Sequence, residues 1–218
     1  EFPILFLGAL PQNTPALYSL MNYADIVGGT WYPEGGMFSI VKAMQSLAEE
    51  LGVEFKFGEA AQEIIIESGK AKKLVTNQNT YEADAIISGA DYQFTESHLL
   101  PHQYRTYTEG YWDKKVLAPS CLLYYIGINK KLENVLHHSL FFDVPFDRHA
   151  AEIYSHPQWP ANPLFYLSVS SKTDDTVAPA GHENLVVLIP VASGLEGDTE
   201  EIREQYFQKV IRRAATCV

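Results

Sequence analysis

Three titratable side chains stand where they could take part in a reaction. Glu34 lies between a proline and a glycine, and His137 and His138 precede an apolar, strand-like segment. Because successive side chains of a strand point to opposite faces, one of the two histidines must face inward. An inward histidine can orient a substrate or donate a proton, and Glu34 could accept one. A structural histidine and a solvated turn carboxylate explain the same pattern, so the catalytic residues stay unassigned.

Residues 28–37 form the most unusual stretch of the chain. It combines four glycines, Trp31, Tyr32 and a proline directly before a helix-like pattern. Glycines at such a place allow close approach of the backbone and leave a helix N-terminus near a flat or anionic group. They also make a tight strand-to-helix connection. Composition alone leaves both interpretations open.

Standard catalytic and metal-binding motifs are missing from the sequence. No two glycines are two residues apart, which excludes G-x-G-x-x-G, and no Walker loop, G-x-S-x-G, H-E-x-x-H or C-x-x-C occurs. His98 and His102 have the i, i+4 spacing of helical metal ligands, but Pro101 lies between them. We therefore predict no metal site. Asp174 and Asp175 lie in a polar segment that favours a solvated turn.

Composition excludes several classes of protein. The 218 residues carry a formal charge of −11, which argues against a nucleic-acid partner. Two distant cysteines suit a reducing cytoplasm. The longest uncharged stretch, residues 2–24, contains three prolines and does not predict a membrane-spanning helix. Because the chain starts without methionine and stops after a helix-like segment, we expect an excised fragment.

The hydrophobic pattern predicts an α+β protein. Apolar residues at three- and four-residue steps predict a helix from about residue 37 to Leu51, ended by Gly52, and a second helix is capped by Thr199. A helical stub before Pro101 and a stiff proline-rich loop at residues 156–163 are also expected. The predicted strands are residues 53–57, 61–67, 71–76, 85–88, 121–128, 139–143, 164–170 and 185–190.

An ordered set of short segments resembles a known family. The matching pieces are residues 6–8 with 15–18, 31–37, 47–53, 83–91, 137–138, and 173–174 with 178–183. In this order they resemble the FAD-dependent phytoene desaturases and related carotenoid and retinoid oxidoreductases, within the flavin amine-oxidase-like superfamily. The resemblance implies a middle segment of a longer enzyme that binds FAD.

The resemblance also implies a division of the chain into four segments. Residues 1–36 would belong to the substrate domain, 37–91 to a Rossmann-like FAD-binding domain, 92–198 to an antiparallel-rich substrate domain, and 199–218 to a helix leading onward. The implied cofactor contacts are Gly35, Gly36, the backbone of Ala61, and Gly89 with Ala90. Family members usually have valine at the position of Ala61 and asparagine at the position of Gly89, so both residues depart from the family pattern.

For the substrate, the resemblance implies an apolar polyene. Trp31, Tyr32 and Met37 would contact it, and the later strands would form the floor of its channel. The aromatic side chains offered for that floor are Tyr124, Tyr125, Phe141, Phe142, Phe165 and Tyr166. The implied reaction is hydride transfer from a C–C pair to FAD with loss of a proton from the neighbouring carbon.

Several alternatives stay open at this stage. The chain could be a non-catalytic apolar-ligand-binding or scaffold module, and within the enzyme class a saturase or isomerase would share this segment. The expected location is the cytoplasm, with peripheral membrane contact through aromatics such as Tyr111, Trp112 and Trp159 left open. The oligomeric state is not predicted.

Overall fold

The computed structural model describes residues 10–216, which form helices and antiparallel strands. The α-helices are α1 (Ser19–Gly28), α2 (Phe38–Glu50), α3 (Tyr92–Phe94), α4 (Glu109–Trp112), α5 (Phe146–Tyr154) and α6 (Glu200–Ala214). The strands are β1 (Ala61–Glu67), β2 (Lys70–Thr76), β3 (Thr80–Glu82), β4 (Ser120–Ile128), β5 (His138–Phe141), β6 (Phe165–Ser168) and β7 (Glu183–Val191). The α+β prediction is confirmed at this level, while the Rossmann-like detail and the four-segment division stay predictions.

The chain separates into two compact units. One contains the residues up to Leu47 together with those from Leu117 onward, and the other runs from Ala48 to Val116. Within the described range, no helix is long and apolar enough to cross a bilayer.

The larger unit contains a four-stranded antiparallel sheet in the order β4-β7-β6-β5. Its longest ladder pairs Ser120 with Val191 and Ile128 with Glu183, so the last strand in sequence lies inside the sheet. Alternation along β7 buries residues 183, 185, 187, 189 and 191 and leaves the intervening side chains half-buried.

One face of this sheet forms the hydrophobic core against α6. Val187 and Ile189 of the sheet are completely buried together with Val210 of the helix. As predicted, the helix begins after Thr199, whose side chain accepts a hydrogen bond from the Ile202 N–H. Core packing therefore fixes which face of the sheet stays open.

The proline-rich loop at residues 156–163 contains no helix or strand, as predicted, and two side chains of α6 hold it in place. Tyr206 donates to the Pro160 carbonyl (2.6 Å), and the Arg213 guanidinium donates to the Pro163 carbonyl (2.6 Å). Burial raises the pKa of Tyr206 to about 12, so its hydroxyl remains a donor at neutral pH.

The smaller unit is built around the antiparallel sheet β1-β2-β3. The first turn, predicted near residue 68, has two central residues with positive φ, Ser68 (51°) and Gly69 (76°), between paired Glu67 and Lys70. Two positive φ angles are typical of a type I′ hairpin. A helical stub is present before Pro101, where a π-helical turn spans Thr95–Leu99.

Two predicted strands are wrong, and three helices and the short strand β3 were not predicted. Residues 53–57 and 85–88 form no strand, because neither segment has a pairing partner between residues 10 and 216. A strand exists only through its ladder, which alternation of apolar residues does not supply. The unpredicted helices are α1, whose side chains are exposed or half-buried, the four-residue α4, and α5, which follows Pro145.

Candidate functional site

A tight turn at residues 33–36, here called the glycine turn, positions the start of α2. The Gly36 N–H donates to the Pro33 carbonyl (3.1 Å), and Gly35 and Gly36 have φ angles of 80° and 89°. A Cβ at Gly36 would lie 3.4 Å from the Tyr32 hydroxyl oxygen, which is an ordinary contact distance. The left-handed φ, rather than crowding, therefore explains both glycines.

The two neighbouring histidines stack on each other beside Tyr32. Their ring centroids are 4.2 Å apart, and Tyr32 meets His137 edge to face at 4.7 Å. His137 Nδ1 lies 2.6 Å from Thr173 Oγ1, and His138 Nδ1 lies 2.5 Å from the Tyr166 hydroxyl. His137 is half-buried and His138 is exposed, so the predicted inward histidine is His137.

The environment of His137 favours the neutral ring. Burial lowers its pKa below the ordinary 6.5, and the neighbouring His138 lowers it further, while Asp174 opposes the shift. At neutral pH the ring is therefore uncharged and carries one proton, on either of its nitrogens.

Asp174 corrects the expectation of a solvated turn, because it is buried, with 6% of its surface exposed. Its Oδ1 accepts from the Thr176 N–H (2.9 Å) and hydroxyl (2.6 Å), and its Oδ2 accepts from the Gly35 N–H (3.0 Å). The Thr176 bonds, and after them those from the Gly35 and Gly36 amides, hold the pKa of this carboxyl below its ordinary value. The carboxylate therefore joins two loops 139 residues apart.

These groups surround one cavity of about 680 Å³. Its walls contain five of the residues predicted for a site in this unit, namely Trp31, Tyr32, Glu34, His137 and His138. Thr30 and residues 173–176, for which no site role was predicted, complete the lining, whereas Gly35 and Gly36 are not part of it. Trp31 is 88% exposed, and its indole Nε1 donates to the Gly28 carbonyl. Met37 is exposed and is not among the lining residues.

The sheet face that does not pack against α6, here called the open face, carries two rows of side chains across all four strands. Pairing aligns Leu123, Leu188, Tyr166 and Leu140 in the first row. It aligns Tyr125, Val186, Ser168 and His138 in the second row. His138, a cavity residue, thus ends the second row.

Only part of the predicted aromatic floor lies on the open face. Tyr125 and Tyr166 are on it, but Phe141 and Phe165 are buried in the core. Tyr124 also packs against the core, with its hydroxyl donating to the Arg203 carbonyl (2.7 Å). The correction follows from the period of two, because neighbouring residues of one strand cannot share a face. Phe142 lies just after β5 and is exposed.

The remaining predicted cofactor residues lie in the smaller unit. Ala61 begins β1, and Gly89 and Ala90 lie in an irregular segment, and all three are exposed. Their contact with a cofactor stays a prediction. In the described part of the chain, no three His, Cys, Asp or Glu side chains are grouped so that they could hold a metal ion.

Comparison with known proteins decides the family. A family model described as flavin containing amine oxidoreductase matches residues 4–216. The chain belongs to this family. The resemblance drawn from the short segments is thereby confirmed, and the residues of the cavity described above lie within the matched range.

Several curated relatives of this flavin family are named carotenoid desaturases. The chain is 40% identical over 211 residues to a carotenoid 3,4-desaturase of Haloarcula japonica. It is 29% identical over 191 residues to a zeta-carotene-forming phytoene desaturase of Myxococcus xanthus, and 30% identical over 193 residues to a phytoene desaturase of Fusarium fujikuroi. These alignments cover 97%, 87% and 87% of this chain but 42%, 36% and 33% of the relatives.

Sequence reasoning assigned no site role to three polar residues that line the cavity: Thr173, Asp174 and Thr176. The Asp-x-Thr spacing of Asp174 and Thr176 is typical of a side chain that caps its own turn, and it was the available signal. The bond to Gly35 had no local signal, since its partner is 139 residues away.

Proposed function

We propose that this chain forms part of an FAD-dependent oxidoreductase that desaturates C–C bonds of long apolar polyenes of the carotenoid type. The observation that carries the proposal is the open face, an apolar surface that reaches the polar cavity at His138. The desaturase names of the relatives support the same substrate class.

The residues present fit one side of a flavin site. The glycine turn offers open space at Gly35, where a built Cβ would meet nothing within 4 Å, beside the largely exposed indole of Trp31. A flat ring can approach such a backbone closely. The sequence contains no G-x-G-x-x-G turn to hold a pyrophosphate, so residues outside this chain would do that. When bound, FAD would supply the hydride acceptor.

The chain's own residues would bind and orient the polyene and accept its proton. A polyene offers neither charge nor hydrogen-bonding groups, so the rows of the open face hold it through buried apolar area. Among the titratable side chains of the cavity, Glu34, His137 and His138 are the proposed proton acceptors, and His137 is neutral at pH 7. Water exclusion from the cavity would keep that proton transfer specific.

Replacing Tyr125 by serine in the full-length protein tests the substrate assignment. Tyr125 is 77% exposed, so the change should leave the fold intact. If one ring face of about 50 Å² is lost at about 25 cal/mol per Å², binding weakens by about 1.3 kcal/mol, or roughly tenfold in KM. The kcat for polyene desaturation should stay within about twofold, because the contact is equally present in the ground and transition states.

Leu51→Ser is the matched control, since Leu51 is also 77% exposed but lies in the smaller unit. Its KM should equal that of the unsubstituted protein. Equal KM values for Tyr125→Ser and Leu51→Ser would contradict the assignment of the open face. A full-length protein that contains FAD and converts no polyene would contradict the proposed function itself.

A further inference from the structure

We propose that Asp174 is a positioning residue, which fixes the glycine turn against the histidine pair and so sets the geometry of the cavity for turnover. The inference rests on the proposed function for its catalytic consequence. The structural part stands on the buried carboxylate and its hydrogen bonds, and it can be measured without any reaction.

The geometry requires an ionised carboxylate rather than a generic polar side chain. One oxygen of Asp174 accepts from Gly35, and the other accepts twice from Thr176. An amide has a single acceptor oxygen, so asparagine would place an NH₂ group against one of these donors. Gly35 is exposed, so its N–H would turn to water once the carboxylate no longer accepts from it, and the glycine turn would be released.

The neighbouring residue extends the same control to the histidines. Thr173 Oγ1 lies 2.6 Å from His137 Nδ1, and the carboxylate of Asp174 follows directly in the chain. The segment 173–174 therefore touches both walls of the cavity. Any shift of this segment changes the separation between Glu34, on the glycine turn, and His137.

The residues directly before the segment 173–174 are bonded to the start of β7. A 3₁₀ turn at Ser170–Lys172 precedes this segment, and Lys172 forms an ion pair with Glu183 (2.9 Å) at the start of β7. Ser171 donates its hydroxyl to Glu183 and its N–H to the Asn184 side chain (3.0 Å). Glu183 is 1% exposed and fully paired, so the sheet provides a rigid support for Asp174.

The Glu183 carboxylate, which supports the segment 173–174, also stays charged over a wide pH range. Burial alone would raise the pKa of Glu183, but the bonds from Ser171, Lys172 and the Leu132 N–H outweigh it and lower the pKa to about 2. Glu183 therefore stays ionised at neutral and mildly acidic pH and can keep its bonds to Ser171 and Lys172.

Amide hydrogen exchange in the full-length protein tests the hydrogen bond directly. In Asp174→Ala, the peptide covering residues 33–37 should exchange at least about tenfold faster than in the unsubstituted protein, because Gly35 loses its acceptor. Asp174→Asn should give an intermediate rate, and it keeps the side-chain volume if Asp174→Ala folds poorly. Asp198→Asn, the same change at an exposed ion pair with Arg203, should leave this peptide unchanged.

Kinetics on the same variants tests the catalytic consequence. Misplacement of about 1 Å costs on the order of a hundredfold in rate, so kcat should fall between ten- and a hundredfold while KM for the polyene changes less than about threefold. Unchanged exchange in both Asp174 variants would overturn the structural claim, whatever the activity. Faster exchange with normal kcat would overturn the positioning role alone. An inactive unsubstituted protein would remove the proposed function and leave the exchange result to decide the hydrogen bond.

Discussion

His149 gives the sharpest test of how the larger unit is held together. It is 3% exposed in α5, its Nδ1 accepts from the Leu164 N–H (3.0 Å), and its Nε2 lies 2.9 Å from the Pro190 carbonyl. Because Nδ1 accepts a hydrogen bond, the ring must be neutral with its proton on Nε2, which donates to the carbonyl. One side chain therefore ties a helix to the entrance of β6 and to β7.

The change His149→Phe keeps the ring and removes both hydrogen bonds. The Leu164 N–H is left buried without an acceptor, which costs about 1–3 kcal/mol. The Pro190 carbonyl is half-buried and recovers water, so its loss costs about 0.5–1 kcal/mol. We expect the free energy of unfolding in urea at pH 8 to fall by about 2–4 kcal/mol.

The direction in which the unfolding free energy changes with pH tests whether His149 is neutral in the folded state. Burial lowers the pKa of His149 in the folded state below the ordinary 6.5, and this outweighs the opposing effects of the Pro190 carbonyl and Glu152. The stabilising contribution is therefore complete above pH 6.5 and is lost as the pH falls through the lowered folded-state pKa. The stability gap between the unsubstituted protein and His149→Phe should narrow from pH 8 to pH 5.

The control is His156→Phe, the same change at an exposed position, which should shift the unfolding free energy by less than about 0.5 kcal/mol. A gap between the unsubstituted protein and His149→Phe that is as large at pH 5 as at pH 8 would refute the neutral, doubly bonded histidine.

Two further outcomes follow from exposed backbone and exposed apolar surface. Gly35→Ala and Gly36→Ala should lower the free energy of unfolding equally, by about 1–2 kcal/mol, because both positions have left-handed φ and neither built Cβ lies closer than 3.4 Å to another atom. A clearly larger loss for Gly36→Ala in thermal melts would show crowding there. Flotation of the full-length protein with anionic liposomes should be insensitive to salt, because the charge of −11 on this chain leaves only hydrophobic attachment. Val116 (98% exposed) and Leu117 (69%) are better placed for hydrophobic contact with the bilayer than half-buried Trp159. Release by moderate salt would contradict this.

Local chemistry made much of the architecture predictable. The β-branched run of β7, the Thr199 cap and the glycines before α2 act within a few residues, so their elements follow from the sequence. The burial of Asp174 depends on a partner far away in the chain, and residues 85–88 have no pairing partner between residues 10 and 216. A buried carboxylate and a solvated one look alike in sequence, and burial is decided by the tertiary contact to Gly35.

The strand order of the larger sheet has a consequence during synthesis. Among residues 10–216, the one strand that pairs with β4 is β7, which leaves the ribosome about 60 residues later. At about 5–20 residues per second, the apolar β4 waits several seconds with both edges unpaired, while β5 and β6 can already form their hairpin. Closing so long a loop is slow and exposes an edge that can join a neighbouring nascent chain. Yield in a cell should therefore depend on translation speed and on chaperones that shield residues 120–128.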